Sequence, residues 1–442
     1  MLVASEADFD IARIRAREFS RLEATRCAYL DYAGAALYPE SLLKRDMDRL
    51  TTTVFGNPHS ESGPSLASTQ AIARARQLTL RLLDADPAEY EVVFTANASG
   101  AARVIAEAFP FESGSRLVLT ADNHNSVNGL RLAARLHGAA VEYVGLDADL
   151  RARDPRSELV PITAPSLFAF PAQSNFSGVR HPLEWVREAK QRGYFVLLDA
   201  AAYLPSAPLS LSKVPADFVL LSYYKMFGYP TGIGALVVRR SALDLLRRRY
   251  FSGGTVQYVS VQTGLMRMKR DAEAFEDGTP NFLAIAAVCD GLHWLSDIGI
   301  SHIAQHTKQL TRQLLDGLRV LGERVVVYGP GDAADRGGTV TFNLHRCGEV
   351  LPYELVEAEA REKGVAIRGG CFCNPGAAEH AFHIPPEAAR ACLEGEFSVS
   401  RFRACLGNKP VGAVRASVGL ATTESDVHRL LELVDDLTRP HA

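Results

Sequence analysis

The sequence has no excess of either charge: 48 basic side chains stand against 51 acidic ones, a net charge of −3 over 442 residues. That excludes a chain built around a basic face for nucleic-acid phosphates. No apolar run approaches the ~18–20 residues of a membrane span, so no membrane partner is expected. The N-terminus, MLVASEADFDIARIRAREF, carries acids early and has no apolar stretch of the secretory kind, which makes the cytoplasm the expected address. Cysteine is sparse: seven, at 27, 289, 347, 371, 373, 392 and 405. That is too few for a disulfide scaffold, and the odd count leaves at least one free thiol. The chain has neither two C-x-x-C pairs nor C-x-x-C with H-x-x-x-H, so no metal is expected.

What is there is apolar bulk. At 47% hydrophobic and 22% charged, the chain is neither disordered nor short of a core. The segments EVVFTANA, RLVLTADN, AAVEYVGL, SLFAFPAQS, YFVLLDAAA, ADFVLLSYY and GALVVRR each read as a strand. Helix-period stretches such as SGAARVIAEAF, NGLRLAARLHG and HPLEWVREAKQRG lie between several of them. This alternation predicts an α/β fold: a mainly parallel central sheet with helices on both faces. Past about Gly291 the texture changes to a long helix, strands VVVYG and TVTFNL, and a further helix, which predicts a smaller α+β domain. The expected division is an N-terminal helical arm over 1–20, a large domain over 21–291, and a small domain over 292–442 that carries the loop around Cys373. The segment between Pro375 and Pro410 has weak periodicity and receives no assigned conformation.

Lysine is also scarce, with eight in the chain, most of them among polar neighbours. Lys225 is the exception. It follows the apolar strand ADFVLLSYY and precedes the Gly-rich MFGYPTGIGALVV. Desolvation lowers the pKa of such an amine and makes it a nucleophile toward carbonyls. Taken alone it is equally a lysine that extends from a strand edge to water. Three other features sit at carboxyl ends of strands, where parallel α/β sheets bind ligands. Asp199 ends YFVLLD and suits a pyridinium nitrogen. Asn97-Ala98-Ser99-Gly100 opens a helix and offers N–H groups and a hydroxyl to a phosphate. His124 follows RLVLT and is placed to lie over a ring. Together they supply what pyridoxal 5'-phosphate needs.

In this order, DYAGAALYP, VVFTANASGA, DNHNSVNGLR, FAFPAQSNFSGVRHP, LLDAAAYLP, SYYKMFGYPTGIGALVVR, FSGGTV, FEDGTPNF and IRGGCFCNPGA resemble the class V aminotransferase family, whose members are fold-type-I pyridoxal-phosphate enzymes. Within it they are most similar to the cysteine-desulfurase domain of molybdenum cofactor sulfurases, from about residue 29 to 425. The resemblance implies that Lys225 holds the cofactor as a Schiff base and that His124 stacks on its ring. It implies that Asn175 contacts the ring hydroxyl and Asp199 the ring nitrogen. Ala98, Ser99 and Ser222 would hold the phosphate, with Thr279 donated by the second subunit of a homodimer. Tyr224 replaces a histidine common before the lysine, and Ala202 replaces a glutamine that contacts the ring oxygen. Arg368 and Arg415, with Asn175, would bind the substrate carboxylate, the arginines through their planar forks.

By the same resemblance, Cys373 is the nucleophile, five residues after Arg368 and preceded by two glycines that give mobility on an exposed loop. Cys371 is a candidate to resolve or protect a persulfide. A third cysteine usual after G-A is Ala378 here. The implied activity is a cysteine desulfurase: sulfur moves from L-cysteine to Cys373 as a persulfide, alanine leaves, and the sulfur passes to an unidentified acceptor. Full sulfurases carry a further C-terminal domain that this sequence does not contain. The alternatives are a class V C–S lyase or amino-acid epimerase without a persulfide, and a non-catalytic sulfur-relay scaffold.

Overall fold

A computed structural model of the protein describes residues 9–394, 396, 398–407 and 409–440. All seven apolar runs are strands: β1 (Tyr90–Thr95), β2 (Arg116–Thr120), β3 (Ala140–Val144), β4 (Leu167–Pro171), β5 (Phe195–Asp199), β6 (Phe218–Ser222) and β7 (Gly234–Arg239). They form one sheet in the order β1-β7-β6-β5-β4-β2-β3. β7 is antiparallel to both of its neighbours and the other pairings are parallel. Every residue of β4 and β6 is buried, which is why these runs are continuously apolar rather than alternating.

Successive side chains still take opposite faces of the sheet. Leu117, Leu119, Leu167, Ala169, Leu197, Phe218 and Leu220 pack in one core with Ala101, Ala102 and Ile105 of the Ala98–Ala108 helix. Val118, Phe168, Phe170, Val196, Leu198, Val219 and Leu221 pack in the other, with Ile72, Ala75 and Leu78 of the Gly63–Leu82 helix and Ile285, Val288 and Leu292 of the Phe282–Ile298 helix.

A second, antiparallel sheet contains β8 (Val325–Tyr328), β9 (Thr339–Arg346), β10 (Arg368–Gly370) and β11 (Ala413–Ser417) in the order β8-β9-β11-β10. Its core joins Val340, Phe342, Val414 and Ala416 to Leu310 and Leu314 of the Ile300–Val320 helix and to Leu430 and Val434 of the Glu424–Thr438 helix. Ala28 and Leu30 belong to this core as well, because the Ala28–Tyr29 strand pairs with Val365–Ala366.

The division expected near residue 291 falls inside the Phe282–Ile298 helix. Gly291 sits there because a Cβ would lie 2.2 Å from the Phe227 ring, so it marks a close contact and not a junction. The chain instead passes from the first core to the second along the Ile300–Val320 helix, with Ile303 in one and Leu310 in the other.

Among the described residues, the expected N-terminal arm is a helix over Ile11–Glu18, capped by Asp10; residues 1–8 lie outside the described residues. It is anchored by the buried Arg15, whose guanidinium meets Asp426 at 2.7 Å. The weakly periodic 375–410 segment contains three short helices, Pro375–Ala381, Pro386–Leu393 and Val399–Cys405, and a disulfide joins Cys392 to Cys405. Two turns of helix are too short to produce a clear apolar period. Among the described residues, no single helix is long and apolar enough to cross a membrane.

Candidate functional site

A cavity of about 270 Å³ opens at the carboxyl ends of β1, β2, β4, β5 and β6, lined by Ala98, Ser99, His124, Asn175, Asp199, Ser222, Tyr224 and Lys225. One end of it is the start of the Ala98–Ala108 helix. Asn97 caps that helix by accepting from the Gly100 N–H at 2.9 Å. The Ala98 N–H donates to Ser222 Oγ at 2.9 Å, and the hydroxyls of Ser99 and Ser126 stand 2.5 Å apart. Gly234 of β7 makes the approach possible, since a Cβ there would lie 2.5 Å from the Asn97 backbone. Three hydroxyls gathered at the N-terminus of this helix form a receptor for a phosphate-sized dianion. Ser126 was not singled out in the sequence, although it stands two residues after His124. Thr279 is not in this cavity. It lines a neighbouring space of about 740 Å³ that shares Ala96 and Gly232 with it.

Lys225 lies on the one-turn helix Tyr224–Phe227 that follows β6. The turn closes on Gly228 at φ +75°, where a Cβ would meet the Tyr38 nitrogen at 2.3 Å. Burial pushes the Lys225 pKa down. Asp199 opposes that shift, and Arg415 and Arg368 reinforce it. A fraction of uncharged amine is what an attack on a carbonyl carbon requires. Burial also lowers the His124 pKa, with Asp199 opposing and Lys225 and Arg415 adding to the shift. His124 Nδ1 accepts from the Ser126 N–H at 3.1 Å, which puts the proton of the neutral ring on Nε2. Asp199 Oδ1 accepts from the Ala201 N–H at 3.0 Å, and its other oxygen remains for a ligand of the cavity that it lines. Burial raises the Tyr224 pKa, so its hydroxyl is held neutral at the cavity wall. Gln173, also overlooked in the sequence, lines the same wall and donates to the Ala202 carbonyl at 2.9 Å. A glutamine amide therefore stands beside the position where the glutamine of the resembled pattern is replaced.

The cysteine loop follows β10. Cys371 and Cys373 are exposed, while Phe372 between them and Asn374 after them are buried. Phe372 and Cys373 both adopt left-handed backbone, at φ +57° and +56°. Three asparagines hold this conformation. Asn175 Nδ2 donates to the Phe372 carbonyl at 2.7 Å, and the Asn125 N–H donates to the Cys373 carbonyl at 2.8 Å. Asn374 Nδ2 donates to the Asp122 carbonyl at 2.7 Å and to Asn175 Oδ1 at 2.9 Å. Of the two glycines before the loop, one answers to packing and the other to backbone conformation. A Cβ on Gly369 would meet the Tyr353 ring at 2.3 Å, and Gly370 takes φ +117°. Asn175 lines the cavity as expected, but its carbonyl and one amide hydrogen are already committed to the loop.

Arg368 and Arg415 come together as expected, directly opposite each other on β10 and β11. What they hold is Asp31, a residue given no role in the sequence reading. Arg368 Nη2 meets its Oδ2 at 2.7 Å, and Arg415 Nη2 meets its Oδ1 at 3.1 Å. Arg415 also donates to the Asn175 carbonyl at 3.0 Å and stacks over the Phe372 ring at 4.6 Å. Neither arginine lines the Lys225 cavity.

The family model for aminotransferase class V matches residues 28–430. The chain belongs to the class V aminotransferase family. It is 36% identical over 96% of its length to a molybdenum cofactor sulfurase of Arabidopsis thaliana, of which it covers 58%. It is likewise 36% identical over 98% of its length to a molybdenum cofactor sulfurase of Homo sapiens, covering 52%. The chain thus spans a little over half the length of these relatives. Among solved structures, the apo cysteine desulfurase of Thermococcus onnurineus has a TM-score of 0.80 at 24% identity, over 97% of this chain and 98% of that one, and shares the fold.

For a class V chain, the arrangement fits a phosphorylated aromatic aldehyde. It has an anion receptor at one end, a carboxylate at the other, and between them a buried amine and a histidine of defined tautomer. Cys373 adds a thiol outside the cavity. A negative charge on its sulfur would favour the protonated forms of both Lys225 and Arg415.

Proposed function

We propose that this chain is a pyridoxal 5'-phosphate-dependent cysteine desulfurase that carries sulfur as a persulfide on Cys373. The observation that carries the reading is the tethering of Cys373. Its backbone carbonyl is bonded to Asn125, next to His124, and the preceding carbonyl is bonded to Asn175 of the cavity wall. An exposed thiol held this way to the mouth of a lysine cavity suits attack on a sulfur that projects from a bound amino acid.

Ala98, Ser99, Ser126 and Ser222 would hold the cofactor phosphate, Asp199 the ring nitrogen, His124 the ring face, and Lys225 the aldehyde carbon. Bound there, the cofactor supplies a carbonyl carbon for amino groups and a ring that stores the electrons of a cleaved Cα–H bond. The remaining steps belong to the chain. Lys225, kept partly uncharged by burial, takes the substrate Cα proton and later returns one. Arg415 and Arg368 bind the carboxylate. The Cys373 thiolate attacks the substrate sulfur; the S–S bond forms as the Cβ–S bond breaks, the electron pair stays with carbon, and alanine leaves after protonation.

A homodimer is part of this reading. Tyr258, Val261 and Leu265 expose 68%, 95% and 71% of their surface on and beside the Val256–Val259 and Met266–Met268 hairpin, and a second copy would cover them. Thr279 would then reach the phosphate of the partner subunit. A cytoplasmic address also belongs to the reading, and the names of the relatives make a molybdenum cofactor the first sulfur acceptor to test.

The test is mass spectrometry after incubation with L-cysteine. One added sulfur on Cys373 and one alanine per sulfur are expected. Pyruvate or a D-amino acid in place of alanine, or full sulfur release by Cys373→Ser, refutes the reading.

A further inference from the structure

Arg368 and Arg415 are cross-strand partners in antiparallel register, so two like charges stand directly opposite each other. Such a pair is destabilising without an anion between its members. Asp31 is that anion: Oδ2 accepts from Arg368 Nη2 at 2.7 Å and Nε at 3.0 Å, and Oδ1 from Arg415 Nη2 at 3.1 Å. The fold builds it in. Asp31 bridges to Ser417 on β11, the Ala33 N–H donates to Ser417 Oγ at 2.8 Å, and Gly34 leaves the space, since a Cβ there would lie 2.5 Å from Asp31 Oδ2 and 2.6 Å from Arg368 Nη2.

Two observations mark this as an anion site that Asp31 only half satisfies. One carboxylate faces two guanidinium groups, which leaves one positive charge over. The Nε of Arg415, a side chain only 3% exposed, has no hydrogen-bond partner among the described residues. The two arginines differ in freedom. Arg415 is held by the Asn175 carbonyl and the Phe372 ring, whereas Arg368 is half exposed and, among the described residues, hydrogen-bonded to Asp31 alone.

We propose that Asp31 occupies the substrate-carboxylate clamp as an internal competitor and so sets the affinity for the amino acid. The incoming α-carboxylate draws Arg368 away from Asp31 and binds between it and Arg415, which stays in place. This rests on the desulfurase reading for the identity of the substrate but not for the anion site itself.

The probe is 3-mercaptopropionate, which has the carboxylate and thiol of cysteine but no amine to react with the cofactor. Its binding to the holoenzyme is measured by calorimetry beside the KM for L-cysteine. Asp31→Asn keeps the shape and removes the charge. The Kd of the probe is expected to fall about 2–5-fold, the scale of one partly exposed charge pair, and KM to fall with it. The uncharged amide of the same acid should bind equally to both proteins, a result that a general disturbance of the pocket would not give. Should Asp31→Asn fail to fold, Gly34→Ala takes its place. It keeps the charge but forces Asp31 and Arg368 apart, and a smaller change in the same direction is expected. An unchanged or weaker Kd for the acid overturns the proposal. Tighter binding in a protein that makes no alanine from L-cysteine leaves the proposal standing and removes the desulfurase reading. Alanine production without tighter binding does the reverse.

Discussion

Phe372→Ala isolates what holds the Cys373 loop in place. Left-handed backbone at Phe372 and Cys373 costs about 1–2 kcal/mol per residue, ~2–4 kcal/mol for the two. The hydrogen bonds to their carbonyls from Asn175 and Asn125 contribute ~0.5–1.5 kcal/mol each. The bonds alone therefore no more than offset the strain. The surplus comes from the Phe372 ring, which is 8% exposed and packed on Phe176 and under Arg415. Its burial contributes ~1.5–3 kcal/mol and its ring contacts about 1 kcal/mol more. Without it the asparagine bonds alone must hold the conformation, and the loop opens more readily. Hydrogen–deuterium exchange read by mass spectrometry is the assay. The amides of Asn125 and Asn374, bonded to the Cys373 and Cys371 carbonyls, should exchange at least about 10-fold faster in the variant, while those of β5 stay protected. Sulfur transfer to Cys373 should fall by a similar factor or more, because a displacement of about 1 Å at a reacting group is costly. The absorbance of the lysine-bound cofactor should remain. Unchanged exchange at Asn125 and Asn374 would mean that the hydrogen bonds suffice, and the reasoning about the ring would be wrong.

Two further outcomes follow from the burial of groups around Lys225. In cofactor-free protein Lys225→Met should raise the urea midpoint at neutral pH. Below the ordinary lysine range the unfolded chain binds a proton that the folded chain resists, so the native protein gains stability as pH rises and the advantage of the variant shrinks toward alkaline pH. A gain that does not depend on pH would refute the assignment. Gly291→Ala places a methyl 2.2 Å from the Phe227 ring on the turn that carries Lys225. It should cost about 1–3 kcal/mol, seen as a lower Tm, and reduce cofactor uptake; a Tm equal to wild type would show that the ring moves freely.

The parts legible in the sequence were those whose physical signature is local. A strand buried on both faces must be continuously apolar, so the seven runs announced themselves, and a lysine at the end of one of them stood out against its neighbours. The helix opening at Ala98 and the histidine at 124 were readable for the same reason: small and capping residues directly follow an apolar run. The parts that escaped were relational. Gly291 looked like a junction because nothing near it in the chain reveals Phe227. The order in 375–410 is spread over helices of seven or eight residues, too short for a period. Asp31 lies 337 residues from Arg368 and 384 from Arg415, and its neighbours Tyr-Ala-Gly give no hint of either.

That distance in sequence matters for how the site works as a whole. Arg415 touches Asp31 through one nitrogen and the Asn175 carbonyl through another, and its plane lies on Phe372. Phe372 in turn fixes the backbone from which Cys373 projects, and Asn175 bonds both the loop and the arginine. The group that senses a carboxylate and the group that positions the thiol therefore share the same two supports. A ligand that competes with Asp31 for the arginines acts on a residue stacked against the anchor of the nucleophile. A neutral ligand of the same size lacks that handle. On the proposed reading, binding of the carboxylate and placement of the Cys373 sulfur would be coupled through Arg415 and Phe372, and a substitution at either should change both the affinity for the acid and the reactivity of Cys373 rather than one alone.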